Sequence, residues 1–227
     1  MDPDIEALRV VLAAGPRPPG LADRRQRLDA LGAHYRIDPG IRLEPAEARG
    51  LKAEWSTSPA ADPSRVILFL HGGGYISGSI ESHRPLATEI GRAAGARTLA
   101  LAYRLAPEHP FPAAVEDVVA AYRFLLGQGF APSHIAIAGD SAGGGLTLAL
   151  MIVARERGLT QPACGWCISP WVDLEASGHS ITTKAAIDPF IQKDYLTELA
   201  AAYLKGADAR APLASPLMPI FAACHPC

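Results

Sequence analysis

The stretch His134-Ile135-Ala136-Ile137-Ala138-Gly139-Asp140-Ser141-Ala142-Gly143-Gly144 decides how the rest of the chain is read. Its first five residues form a short aliphatic run, the pattern of a strand covered on both faces. From Ala142 an apolar-rich pattern runs to Arg157 and predicts a helix closed by Gly158. A serine between two glycines at such a strand-to-helix junction occupies a nucleophile elbow. The turn is so tight that the positions two before and two after the serine must lack bulky side chains, and Gly139 and Gly143 meet that need. It lifts the Ser141 hydroxyl clear of the sheet and leaves N–H groups of the first helical turn pointing toward it. Without the strand and the helix, the same residues would be a plain glycine-rich turn.

A second junction of this kind lies upstream. The run Val66-Ile67-Leu68-Phe69-Leu70 leads directly into His71-Gly72-Gly73-Gly74-Tyr75. Three successive glycines let the backbone approach a ligand closely and aim its N–H groups at one point. In acyl transfer that point is the oxyanion of a tetrahedral intermediate. A phosphate-binding loop would carry a lysine in a GxxxxGK[ST] pattern, and none follows here.

The intervening and flanking residues repeat the same alternation. Strands are expected at Arg97–Leu101 and Ala163–Ile168, and helices at Pro85–Ala94, closed by Gly95, and Ala113–Leu126, closed by Gly127. Strand-helix-strand repetition of this length predicts an α/β fold, a mainly parallel doubly wound sheet with right-handed crossovers. Two helical patterns precede it, Ile5–Leu12 and Leu21–Tyr35, separated by the breakers Gly15-Pro16-Arg17-Pro18-Pro19-Gly20. A polar loop from residue 176 leads into one more helical pattern, Ile191–Leu204.

HGGGY followed by GDSAGG, with Tyr103-Arg104-Leu105-Ala106-Pro107-Glu108-His109-Pro110-Phe111-Pro112 between them, resembles the hormone-sensitive-lipase-like (GDXG) carboxylesterases of the α/β-hydrolases. Ser169-Pro170-Trp171-Val172-Asp173-Leu174 and Ser215-Pro216-Leu217 extend the resemblance, which runs from about Ala7 to Leu217. It implies an α/β-hydrolase core at 46–217 under a helical cap made by 1–45 and about 176–205, with 218–227 an anomalous tail. It further implies a carboxylesterase of short- to medium-chain acyl esters that uses no metal or cofactor. Carried onto this chain, Ser141 is the nucleophile, and the N–H groups of Gly72, Gly73 and Ala142 form the oxyanion hole. His71 and Gly74 complete the loop motif without His71 acting as base, Asp140 holds the elbow, and Tyr75 and Phe190 are either pocket walls or core packing.

A serine hydroxyl needs a histidine to take its proton and a carboxylate to orient that histidine. In the resembled family the acid follows the elbow by roughly a hundred residues, in a DPxxD-like motif, and the histidine comes some thirty later. The 227-residue chain holds neither segment after Leu217, as if a frameshift or premature stop had replaced them. The expectation is therefore a scaffold lacking the Asp and His of its triad, with Ala163–Ile168 left as an exposed apolar edge. Asp188-Pro189-Phe190 falls in the cap segment, and His225 has no strand before it to position its ring, so neither is taken as a substitute. The alternative reading is a non-catalytic, ligand-binding remnant of the same fold.

Two CxxC pairs, Cys164/Cys167 and Cys224/Cys227, raise a zinc or dithiol site. The first lies in a strand pattern, where residues three apart point to opposite faces, and the second ends the chain with no helix after it to lower a thiol pKa. No metal is therefore expected. Twenty-one basic against twenty-three acidic residues, with no Lys/Arg block, argue against a nucleic-acid partner. No apolar run suffices for a membrane span and the acidic start Met1-Asp2-Pro3-Asp4 is unlike a signal peptide, so the expectation is a cytoplasmic protein acting on a small-molecule ester.

Overall fold

Val66, Leu68 and Leu70 turn one way from the centre of the sheet, and Ile67 and Phe69 turn the other. Both sets are buried, because helices cover both faces. The computed structural model describes residues 5–7, 10, 18–188 and 190–217, and all that follows concerns these. The strands are β1 (Arg42–Ala48), β2 (Leu51–Thr57), β3 (Asp62–Leu70), β4 (Ala96–Leu101), β5 (Ile135–Asp140) and β6 (Cys164–Ile168). The helices are α1 (Leu21–His34), α2 (Ile80–Ala94), α3 (Ala113–Gly127), α4 (Ala142–Glu156), the single turn α5 (Ser180–Thr183) and α6 (Lys193–Leu204). The sheet order is β1-β2-β4-β3-β5-β6. β4, β3, β5 and β6 run parallel, as the sequence predicts, while β1 and β2 form an antiparallel hairpin joined to β4.

The larger core joins one sheet face to α3, α4 and α6, through residues such as Val118, Tyr122, Leu146, Leu150 and Leu199. The smaller one places Ile80, Ala87 and Ile90 of α2 against Ile67, Phe69, Ala100 and Ala138. Among the described residues, no helix is long and apolar enough to cross a membrane.

Besides shifts of one to four residues at several element ends, three features depart from the expectation. The hairpin β1–β2 was not anticipated: it turns at Arg49 (φ 55°) and Gly50 (φ 85°), and β1 carries Pro45, which an edge strand tolerates. α2 begins at Ile80 and not at Pro85. Ser79 Oγ accepts from Ser82 N–H and Ser82 Oγ accepts from Ser79 N–H, a reciprocal cap that sets the start five residues earlier. Gly127 does not close α3; it is the last helical residue, and the left-handed position falls on Gly129 (φ 89°). Gly95 and Gly158 do take the left-handed conformation after α2 and α4 (φ 60° and 64°). Of the first expected helix, Ile5–Ala7 and Val10 are helical, while Leu8, Arg9, Val11 and Leu12 lie outside the described residues. So do Gly15–Arg17, Pro189 and 218–227, and with them His225 and the pair Cys224/Cys227.

Candidate active site

β3 and β5 are neighbours in register, Leu70 opposite Gly139, so the segments that follow them emerge side by side at the carboxyl end of the sheet. Ligands of parallel α/β sheets bind beyond that end. The segment after β5 is the Ser141 turn. Ser141 holds φ 51° and ψ −116°, a region that non-glycine residues seldom occupy. The surroundings fix it there: its N–H donates to Ile168 O (2.9 Å), and its carbonyl accepts from Trp171 N–H (2.8 Å) and Gly145 N–H (3.1 Å). A Cβ on Gly143 would overlap the Leu70 carbonyl, and one on Gly139 would overlap Gly143, so both glycines are required by close approach. The serine is half-buried, and Ala142, the first residue of α4, has no intrahelical acceptor for its N–H.

The segment after β3 is the glycine loop. Gly73 and Gly74 have positive φ (119° and 64°), and a side chain on Gly73 would overlap Ser77 O. Among the described residues, no acceptor takes the N–H of either. Gly72 differs. Its N–H donates to Asp140 Oδ1 at 2.9 Å, so the role expected for it as an oxyanion donor does not fit this geometry. Asp140 thereby ties the glycine loop to the residue just before Ser141. Its other oxygen, Oδ2, lies 3.3 Å from His83 Nε2, and His83 Nδ1 meets Ser82 Oγ at 2.7 Å. His83 escaped the sequence reading; the only signal was its place one residue beyond the α2 cap, on the first turn that faces the elbow.

His71 is buried and stacked on Tyr103, with ring centroids 4.2 Å apart. Its Nδ1 lies 2.8 Å from Gly72 O; a carbonyl only accepts, so Nδ1 carries the proton. Burial, with His83 nearby, lowers its pKa to about 4. It is a neutral prop beneath the loop. Tyr75 is also buried. It stacks on Tyr203 of α6 at 3.8 Å and lies against Trp171, and burial pushes its phenol well above the ordinary range. Phe190 is 48% exposed. Tyr75 therefore sits in the core beside the loop.

No histidine among the described residues is hydrogen-bonded to Ser141; those closest in the network, His71 and His83, are engaged as above. On β6 the thiols are free: Cys164 is exposed, while Cys167 is half-buried and donates to Gly144 O at 3.6 Å.

A strained serine between a parallel strand and a helix, flanked by a glycine loop from the neighbouring strand, defines an α/β-hydrolase. The family model for the alpha/beta hydrolase fold matches residues 67–227. An acetyl-hydrolase from Streptomyces hygroscopicus is 52% identical over 164 residues, covering 72% of this chain and 54% of that protein. A crystal structure of an esterase from the bacterial hormone-sensitive lipase (HSL) family superposes with a TM-score of 0.92 at 45% identity, covering 95% of this chain and 73% of the other. The esterase EstE5, crystallised and soaked with p-nitrophenyl butyrate, superposes with a TM-score of 0.90 at 46% identity, covering 96% of this chain and 74% of the other. The chain belongs to the hormone-sensitive-lipase-like family of α/β-hydrolases. It spans about half the length of its Streptomyces relative.

Proposed function

We propose that this chain is a carboxylic-ester hydrolase scaffold in which Ser141 attacks the acyl carbon of a short- to medium-chain ester. The observation that carries the reading is the forced backbone of Ser141 (φ 51°, ψ −116°) at the start of α4, beside the glycine loop. Attack by the hydroxyl oxygen turns the ester carbonyl into a tetrahedral oxyanion, the hydroxyl proton passes through water to the departing oxygen, and collapse expels the alcohol to leave an acyl-serine that water hydrolyses. The N–H groups of Gly73 and Ala142, with Gly74 beside them, receive the oxyanion. Gly72 N–H, held by Asp140, is not among them. The positive end of the α4 dipole adds to the same field. Loss of one such donor costs about 3 kcal/mol of barrier.

The reading also assigns a cap to α1 and the 176–205 segment. Arg24 of α1 pairs with Glu198 of α6 at 2.7 Å, Arg25 donates to Ile76 O and Ala106 O, and Leu199 lies against Gly74. No base is engaged with Ser141 among the described residues, so turnover is expected to be slow. Loss of a triad member costs on the order of 10⁴- to 10⁶-fold.

Hydrolysis of p-nitrophenyl butyrate, the ester soaked into EstE5, by the chain and by its Ser141→Ala variant tests this. Slow release of nitrophenolate above the variant's background is expected. Equal rates would overturn the catalytic reading in favour of a pocket that binds without chemistry. Fast turnover lost in the variant would overturn the slow-turnover part and point to a base outside the described residues.

A further inference from the structure

The end of the sheet opposite Ser141 carries a second concavity, of about 420 Å³. It lies where β3 and β4 begin and where the loop after α3 leads into β5. One wall is aromatic: the Trp55 and Phe130 rings lie 6.1 Å apart. On Trp55 lies the guanidinium of Arg97, 4.0 Å from the ring centroid. That stack fixes a planar cation whose N–H edge is free to bond in its own plane.

The charges around it are one-sided. None of the nine lining residues is acidic, and Arg97, half-buried, has no carboxylate partner among the described residues. Asp62, at the start of β3, is already engaged: its Oδ1 accepts from Ser64 N–H (2.8 Å) and Ser64 O–H (2.7 Å), and Oδ2 pairs with Arg65 (3.4 Å). The carbonyls of Phe124, Leu125 and Leu126 in the last turn of α3 are taken up by the N–H groups of Gln128, Gly129 and Phe130, so these three are not left to repel an anion. Gln128 and His134 add polar groups at the rim.

We propose that this concavity binds a small aromatic carboxylate. The carboxylate forms a fork with the Arg97 guanidinium, which two parallel charge-assisted hydrogen bonds make directional. The ring of the ligand lies on the Phe130 and Pro63 side of the cavity. The site is separate from the ester-binding end of the sheet and does not depend on the catalytic reading.

The probe is naphthoate, titrated into ¹⁵N-labelled protein while the amide signals are followed. Saturable shifts are expected at Gln128–His134 and the Trp55 indole N–H, with naphthamide and inorganic phosphate each binding about ten-fold more weakly or worse. Arg97→Gln should weaken naphthoate about ten-fold. Because that change also removes a stack, the exposed Gln128→Glu serves as a second variant; it leaves the fold intact and should weaken naphthoate several-fold by placing a carboxylate at the rim. The proposal is overturned by any one of four results: no saturable shift at these residues, shifts confined to 72–75 and 141, equal affinity for naphthamide, or phosphate binding as tightly as naphthoate.

Discussion

His71 shows how a single side chain can set the acid stability of this fold. Its ring is buried beneath the glycine loop, with His83, Asp140 and Glu81 acting on it electrostatically, and burial holds its pKa at about 4 against an ordinary 6.5. Between those values the unfolded chain takes up a proton that the folded chain refuses, so stability falls as pH falls through this window. At ~1.4 kcal/mol per pH unit the loss reaches about 2 kcal/mol by pH 5. Urea midpoints measured from pH 7.5 to 4.5 should show this slope, and His71→Asn, which keeps a donor for Gly72 O but cannot titrate, should flatten it. Equal slopes in the two proteins would mean another group controls the acid limb. Glu108, drawn down to about 2 by Arg25, loses its own contribution only as pH falls from its ordinary value of 4.5 toward that figure, so the slopes are compared above pH 5. At this scale the sequence was uneven. Ser141 and its flanking glycines were legible because their geometry is local. The engagement of Gly72 N–H by Asp140 was not, because the partners stand 68 residues apart and only the pairing of β3 with β5 brings them together.

α4 approaches β3 so closely that its second residue has no room for a side chain. A methyl group on Gly143 would run into the Leu70 carbonyl, which is rigid strand backbone. Gly143→Ala should therefore cost at least about 3 kcal/mol, or prevent folding. Gly127, the last residue of α3, is the matched control: a Cβ there meets nothing within 4 Å. Gly127→Ala should be neutral or stabilising by up to ~1 kcal/mol, since alanine is the better helix former. Chemical denaturation of both variants checks the pair, and similar effects at the two positions would refute the packing argument. The sequence showed the parallel strands and their helices because burial on both faces leaves aliphatic runs bounded by glycine. It hid the β1–β2 hairpin for the opposite reason. β1 is mostly exposed and carries Glu44, Pro45 and Glu47, so no apolar run marks it. The α2 start was misplaced because Pro85 is an obvious helix opener, whereas the Ser79/Ser82 cap has a serine where the Glu or Gln of a capping box marks a helix start in sequence.

Across the whole molecule the two borders of the sheet are unequal. On one side the hairpin β1–β2 ends the sheet in a strand bearing Pro45, Glu44 and Glu47, residues that discourage further pairing. On the other, β6 pairs only with β5 among the described residues, and its sequence Cys-Gly-Trp-Cys-Ile holds no charge and no proline. Gly165 turns toward Met151 and Thr147 of α4, so Trp166, the next residue, turns to the other face, where it is 52% exposed. An uncharged strand whose outer edge has no partner among the described residues, with a large aromatic beside it, is a template for pairing with a second copy. The chain should therefore gain apparent mass with concentration in light scattering, with reductant present to exclude bridging through the exposed Cys164. Trp166→Lys should hold it monomeric over the same range, because a lysine at the edge must be desolvated for a second strand to dock. Its stability should change little, since more than half of the Trp166 surface is already in water. If the lysine variant associates as strongly as the parent, the contact lies elsewhere.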